Sequence, residues 1–438
     1  MTHPFRKRSR PPVLPDDSLS YSVLQASELV AQVGEGRNLT ECYEAMLAAH
    51  AGWADGVRGA VRDLAWVSLR DYGRQDPVLR HYLRKPLPLR VEAMLRIALS
   101  RLERRPDEAY KIVDQTVAAV GAIAPGLKGV ANGVLRASER EKAYCAALRA
   151  ADPVATHRHP LWWIERLRAA YPERWEAVLS AGNQRPPMSL RINPRRTARE
   201  SVERRLRESK HGFRTLDNGA LLLDLPCAAT ALPGFAEGWI SVQDSGAQWA
   251  AHWLDLADGQ RVLDACAAPG GKAAHLLETA DVDLLALEID PTRARRIQAN
   301  LERLGLDARV CVADARNERD WWDGRPFERI LADVPCSASG VVRRHPDIKW
   351  HRRAEDIAHF ARQAAQILES LWRTLAPGGK MLFVTCSVFD DENGKQIERF
   401  CKRHEDAERV PLDGRLDRQL LPDAEQDGFY YALLRKRE

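Results

Sequence analysis

Two cysteines hold the positions at which this sequence could do chemistry. One follows Pro335 in DVPCSASG (333–340), and the other follows Thr385 in VTCS (384–387). Each stands where an apolar run, RILAD (329–333) or KMLFVT (380–385), gives way to small and polar residues. A cysteine at the end of a strand can present a thiolate nucleophile to a bound ligand. Taken alone, each fits equally a small apolar side chain buried at a strand end. Cys42, Cys145, Cys227, Cys311 and Cys401 lack such a setting. With no CxxC pair and no matching His cluster, the eight cysteines support neither a disulfide framework nor a metal site, and reduced thiols of the cytoplasm are expected.

A second group begins after the strand-like run RVLDA (261–265), where DACAAPGGK (264–272) opens a helix. Gly270 and Gly271 let backbone approach a ligand, and the helix start offers unpaired amides. The Walker pattern fails, because Cys266 stands where its first glycine is required and Ala273 follows Lys272; GxGxxG fails too. Acids then close the following runs: Glu288 in ALEID, Asp314 in VADA and Asp333 in LADVPC. A carboxylate after the second strand can accept both hydroxyls of a ribose, and one after the third can reach an adenine amine. The spacing therefore predicts a site for an adenosine-bearing cofactor.

These groups need a scaffold. From about 240 the chain alternates short apolar runs with helical stretches: RVLDA, DLLALE (283–288), RVCVA (309–313), RILAD and KMLFVT. Ile357, Phe360, Ala361, Ala364, Leu368, Leu371 and Leu375 mark one helix face over 355–375, ending at PGG (377–379). This pattern predicts a doubly wound α/β domain with a mostly parallel sheet, which binds ligands at the carboxyl ends of its strands.

Upstream the pattern is helical: Val91, Met94, Leu95, Ala98, Leu99 and Leu102 form a stripe after Pro86 and Pro88. The predicted organisation is a flexible basic tail (1–18), a helical bundle (19–152), a small α/β adaptor (153–236) and the sheet domain (237–438). The first residues run into proline and aspartate, unlike a secretory signal, and no stretch reads as a membrane span.

Lysine and arginine number 66 against 61 acids, a net charge of +5. The excess is clustered. Ten Arg/Lys face three Glu between Arg185 and Arg214, and RRHPDIKWHRR (343–353) mixes cations with Trp350. Both stretches suit a phosphate backbone, with Trp350 available for stacking, although a solvated helix face has the same composition.

CAAPGGK, the two cysteine tripeptides PCS and TCS, and RRHPDIKW between them resemble the RNA cytosine-C5 methyltransferases that use S-adenosylmethionine. Within that family the likeness is to the bacterial 16S rRNA branch, whose front domain is similar to the antitermination factor NusB. It covers the bundle weakly, through GLKGVANGVLR (126–136), and 239–438 strongly. It implies a Rossmann-like class I methyltransferase domain behind a NusB-like, RNA-binding bundle. By the same resemblance Cys266, Ala267, Ala268, Pro269, Gly270, Gly271 and Lys272 form the cofactor loop, with Glu288, Asp314 and Asp333 as further cofactor contacts. Cys386 is the implied nucleophile, Cys336 assists product release, and Asp333 holds the cytosine edge. Glu288 stands where the family usually has aspartate, Val334 where alanine is usual and Ala273 where threonine is common.

The implied partner is 16S rRNA, naked or in an assembling small subunit, with no membrane, no metal and no partner subunit required. The same chemistry on another rRNA or tRNA cytosine is an alternative. A non-catalytic assembly factor is a second, against which the intact Cys336, Cys386, Asp333 and Lys272 stand. His345 and His351 are candidate general bases, or simply phosphate contacts.

Overall fold

The computed structural model describes residues 13–438, so residues 1–12 of the expected tail lie outside the described residues. The chain forms two compact units. One comprises the residues up to Ala169 together with His345–His351; the other comprises Ala170–Arg344 and Arg352–Glu438.

The first unit is helical. Its helix Leu19–Gly34 starts at Ser18, whose hydroxyl accepts the Tyr21 N–H, and Leu89–Arg104 starts behind Pro88. The predicted stripe of the second helix, Val91 to Leu102, is buried against Val23, Leu29 and Val30 of the first. Burying a leucine this fully contributes about 1.5–3 kcal/mol, so the stripe and not helix propensity holds the helix in place.

Seven residues from far along the chain complete this unit. Asp347 accepts the N–H of Leu39 at 3.1 Å. Lys349 is fully buried, and its Nζ donates to the Arg70 and Arg158 carbonyls at 3.1 and 2.8 Å. Arg70 ends the helix Asp55–Arg70, and burial pushes the Lys349 amine well below its ordinary pKa. Trp350 donates Nε1–H to the Leu69 carbonyl at 3.1 Å, with its ring 5.2 Å from that of Tyr72. His351 Nε2 lies 2.9 Å from the Val33 carbonyl. This stretch is therefore an internal structural segment and not the open stacking surface its composition suggests. Its long apolar stems and indole are worth more buried, provided each polar end finds a carbonyl.

The second unit contains two sheets. In the smaller, antiparallel one the order is β2 (Phe213–Thr215), β3 (Leu221–Leu223), β1 (Met188–Ile192), β4 (Ile240–Val242). Val202 and Leu206 of the helix Arg199–Glu208 pack on it with Leu190 and Leu221. β4 lies past residue 236, where the sequence reading ended the adaptor, because Ile240 and Val242 pair with Ile192 and Leu190.

The larger sheet has β5 (Arg261–Ala265), β6 (Asp283–Glu288), β7 (Arg309–Val312), β8 (Phe327–Asp333) and β9 (Leu375–Thr385) in the parallel order β7-β6-β5-β8-β9. β12 (Phe429–Lys436) adds antiparallel to β9, and β10 (Ala407–Val410) and β11 (Arg418–Leu420) pair with β12. The helix Asp356–Thr374 ends one residue before β9, so PGG lies inside the strand instead of separating two elements. Among the described residues no helix is long and apolar enough to cross a membrane.

Candidate active site

The order of the parallel strands brings the predicted residues together. β5, β8 and β9 are neighbours, so the turn after β5 and the residues following β8 and β9 meet at one edge. The turn from Ala265 to the helix Gly271–Thr279 is tight: Cys266 has φ +62°, the Ala268–Pro269 bond is cis, and Ala267 N–H donates to the Leu287 carbonyl at 2.9 Å. Gly270 has φ +94°, and a Cβ there would lie 3.0 Å from Ile297 Cα, so only glycine fits.

Lys272, in the first turn of that helix, donates to Asp333 Oδ2 at 2.6 Å and lies 5.5 Å above the Phe429 ring. Burial alone would lower its pKa. The Asp333 charge and hydrogen bond more than offset this and leave it raised, so Lys272 is an ammonium. Cys386 lies within electrostatic reach of that charge.

The two sulfurs, Cys336 Sγ and Cys386 Sγ, are 3.5 Å apart. Cys336 is buried and Cys386 half-buried. The hydrogen bond with Cys386, followed by burial, pushes the Cys336 thiol well above its ordinary value. The turn carrying Cys336 ends at Gly340, whose N–H donates to the Cys386 carbonyl at 2.8 Å. A Cβ on Gly340 would fall 2.2 Å from the Gly428 carbonyl, so this close approach also requires glycine.

Other acids stand as predicted at strand ends, with protein partners of their own. Glu288 accepts the Ala268 N–H at 3.3 Å on one oxygen and the Asp290 N–H at 3.1 Å on the other, tying the Cys266–Lys272 loop to β6. Asp314 is clasped by Arg316, which holds its carboxyl below the usual range. At Cys266 burial and then the charges of Asp333 and Glu288 raise the thiol pKa.

Sequence reasoning missed Asp264. It is fully buried within β5; burial and the nearby Asp333 raise its pKa well above the usual range. The available signal was an acid inside an otherwise apolar strand. A glycine-dependent turn, the buried acid Asp264 and the acid at Glu288 fit a cationic, ribose-bearing group such as S-adenosylmethionine. Among the described residues no cluster of three or more His, Cys, Asp or Glu could hold a metal ion.

Part of the predicted basic stretch 185–214 is also spent internally. Arg191 is buried and bonded to Glu278 at 2.7 Å, Arg205 lies 4.2 Å above Trp239, and Arg199 and Arg207 share Glu203. Arg185, Arg195, Arg204 and Lys210 are exposed.

A parallel sheet with a glycine turn after β5 and acids at the next strand ends is a Rossmann-like class I methyltransferase domain. A family model described as 16S rRNA methyltransferase RsmB/F matches residues 251–435, and one described as an RsmF/B-like ferredoxin-like domain matches 159–230. Ribosomal RNA small subunit methyltransferase B of Pseudomonas syringae pv. tomato is 42% identical over 399 residues, spanning 86% of this chain and 89% of that protein. The protein of the same name from Escherichia coli O6:H1 is 40% identical over 395 residues, spanning 88% and 92%. The crystal structure of a methyltransferase homolog from Pyrococcus horikoshii shares 26% identity, with a TM-score of 0.58 over 65% of this chain and 97% of that one. That of PH0851, at 22% identity, has a TM-score of 0.80 over 97% of this chain and 100% of that one, a likeness of fold. The chain belongs to the RsmB/F family of 16S rRNA methyltransferases, and it is an enzyme.

Proposed function

We propose that this enzyme methylates C5 of one cytosine in 16S rRNA, with S-adenosylmethionine as donor. The observation that carries this reading is the 3.5 Å approach of Cys336 and Cys386 beside the Lys272–Asp333 pair. C5 of cytosine is a poor nucleophile. A thiolate added at C6 turns the ring into an enamine-like species whose C5 can form a bond to an electrophilic carbon.

Cys386, the more accessible sulfur, makes the C6–S bond. The Cys336 sulfur, 3.5 Å from that of Cys386, stands within hydrogen-bond reach of it. Asp333 meets the polar edge of the base, and the Lys272 ammonium compensates the negative charge that builds on the ring as sulfur adds. When bound, S-adenosylmethionine supplies the electrophilic methyl group. A base then removes the C5 proton, the C5=C6 bond re-forms, and Cys386 leaves with help from Cys336. The target must be unpaired or flipped out of its stack to admit sulfur at C6. Exposed Arg185, Arg195, Arg204 and Lys210 suit the surrounding phosphates.

Bisulfite mapping of 16S rRNA tests the proposal. One cytosine should be methylated in the parent strain, unmodified when the protein is deleted and restored by the wild-type chain but not by Cys386→Ala. No change at any 16S cytosine would overturn it.

A further inference from the structure

Glu392 plays no part in the chemistry above, yet it is a buried carboxylate, 1% exposed, in a short turn after β9. Its Oε1 accepts the Ser337 N–H at 2.6 Å, and its Oε2 accepts the hydroxyls of Ser337 and Ser387, each at 2.6 Å. Ser337 and Ser387 are the residues immediately after Cys336 and Cys386. One carboxylate therefore grips both cysteine turns at their next residue.

Its neighbour Asn393 acts on the same turns. Its Oδ1 accepts the Thr385 hydroxyl at 2.6 Å, and its Nδ2 donates to the Ser387 carbonyl at 2.9 Å, so the residues on both sides of Cys386 are held. Ser339 Oγ lies 3.1 Å from Ser337 Oγ and 3.0 Å from Ser387 Oγ, and accepts the Val388 N–H at 2.9 Å. Arg352 donates to the Ser337 carbonyl at 3.1 Å. Ser337, Ser387 and Thr385 are fully buried, so each of these groups depends on a protein partner.

We infer that Glu392 is a positioning residue, which with Asn393 sets the separation and aim of the Cys336 and Cys386 sulfurs. This rests on the covalent chemistry proposed above. Buried backbone N–H groups of the two turns find their partners in this cluster: Ser337 N–H in Glu392, Val388 N–H in Ser339 and Phe389 N–H in Ser387. The cluster's shared feature is adjacency to the two cysteines. Positioning of this kind acts on reaction rate, because an error of about 1 Å in a reacting atom can cost about 100-fold.

The test uses the full-length protein and 16S rRNA fragments carrying 5-fluorocytosine. Fluorine blocks loss of the C5 substituent, so attack and methyl transfer halt at a protein–RNA adduct that survives denaturing electrophoresis. Wild type should form this adduct, and Cys386→Ala should not; failure of wild type to do so sinks the covalent reading itself. Glu392→Gln, which keeps the shape but replaces one acceptor oxygen with a donor, should slow adduct formation at saturating RNA and cofactor by at least 10-fold. Its affinities for S-adenosylmethionine and RNA should remain within about twofold of wild type. If wild type forms the adduct and Glu392→Gln matches its rate, the positioning role is overturned while the chemistry stands. Loss of cofactor and RNA affinity in parallel with the rate would equally overturn it, as the mark of general loosening. Should Glu392→Gln fail to fold, Ser387→Ala, which removes one of the three bonds, should slow the adduct at least threefold with affinities unchanged; an unchanged rate refutes the inference.

Discussion

Lys272 Nζ lies 2.6 Å from Asp333 Oδ2, joining the turn after β5 to the end of β8 by a part-buried ion pair. Such a pair gives the site a compensated charge that can be redistributed when a substrate charge develops. Lys272→Met removes the ammonium, keeps most of the stem and leaves Asp333 without its partner. The single-turnover methylation rate at saturating cofactor should fall about 100-fold, the scale of losing one preorganised electrostatic donor. A rate within threefold of wild type would show that the pair has no role beyond structure.

The sulfur pair predicts two different failures. Cys386→Ala should abolish methylation and form no adduct, since no other sulfur of the pair is placed to attack. Cys336→Ala should still attack but release poorly, accumulating a covalent protein–RNA complex on unmodified RNA in the presence of cofactor. Denaturing gels separate the two outcomes. A Cys336→Ala protein that turns over normally and leaves no adduct would remove the release role.

Arg343 and Asp427 form a buried pair, 1% and 0% exposed, in which Arg343 also donates to the Asp423 carbonyl at 2.6 Å. Arg343→Ala removes one of the two guanidinium partners of the buried Asp427 carboxylate, Arg344 being the other. It should cost about 1–3 kcal/mol in chemical denaturation, the scale of leaving buried acceptors without one of their partners. An exposed basic patch, as the sequence suggested, would lose less than 1 kcal/mol.

His159 predicts a pH dependence of stability. Burial, then the charge of Lys349, drives its imidazole well below its ordinary value. The unfolded chain takes up this proton near pH 6.5 and the folded chain only at much lower pH. Between those limits the unfolded state binds more protons, so stability rises with pH and is lost on acidification. The contribution is up to about 1.4 kcal/mol per pH unit below about 6.5. His159→Gln should flatten the dependence of unfolding free energy on pH between 7 and 5. An unchanged slope would assign the acid sensitivity elsewhere.

Much of the site was legible because strand and turn signals are local. RVLDA and DLLALE match β5 and β6 residue for residue, and the acid or cysteine after each run is where a parallel sheet collects its functional groups. The partners of charged residues were not legible. Arg343 finds Asp427 84 residues away, and Lys349 finds the Arg70 carbonyl 279 residues away, so composition alone could not tell an internal strut from a phosphate-binding face. Glu392 was invisible for the same reason: it reaches Ser337 across 55 residues. β10 to β12 were missed because the reading followed strand–helix alternation, which antiparallel strands at the end of the chain do not continue.

The lodging of His345–His351 among the helices bears on any attempt to divide the protein. A fragment starting at residue 170 would keep Cys386 and the turn after β5, yet lose the carbonyls of Leu69, Arg70 and Arg158 that receive Trp350 and Lys349. A buried amine and an indole would then be released into water within the stretch of sequence that separates Cys336 from Cys386. The front of this polypeptide is thus no detachable accessory: trimming it unseats a loop encoded 191 to 281 residues later.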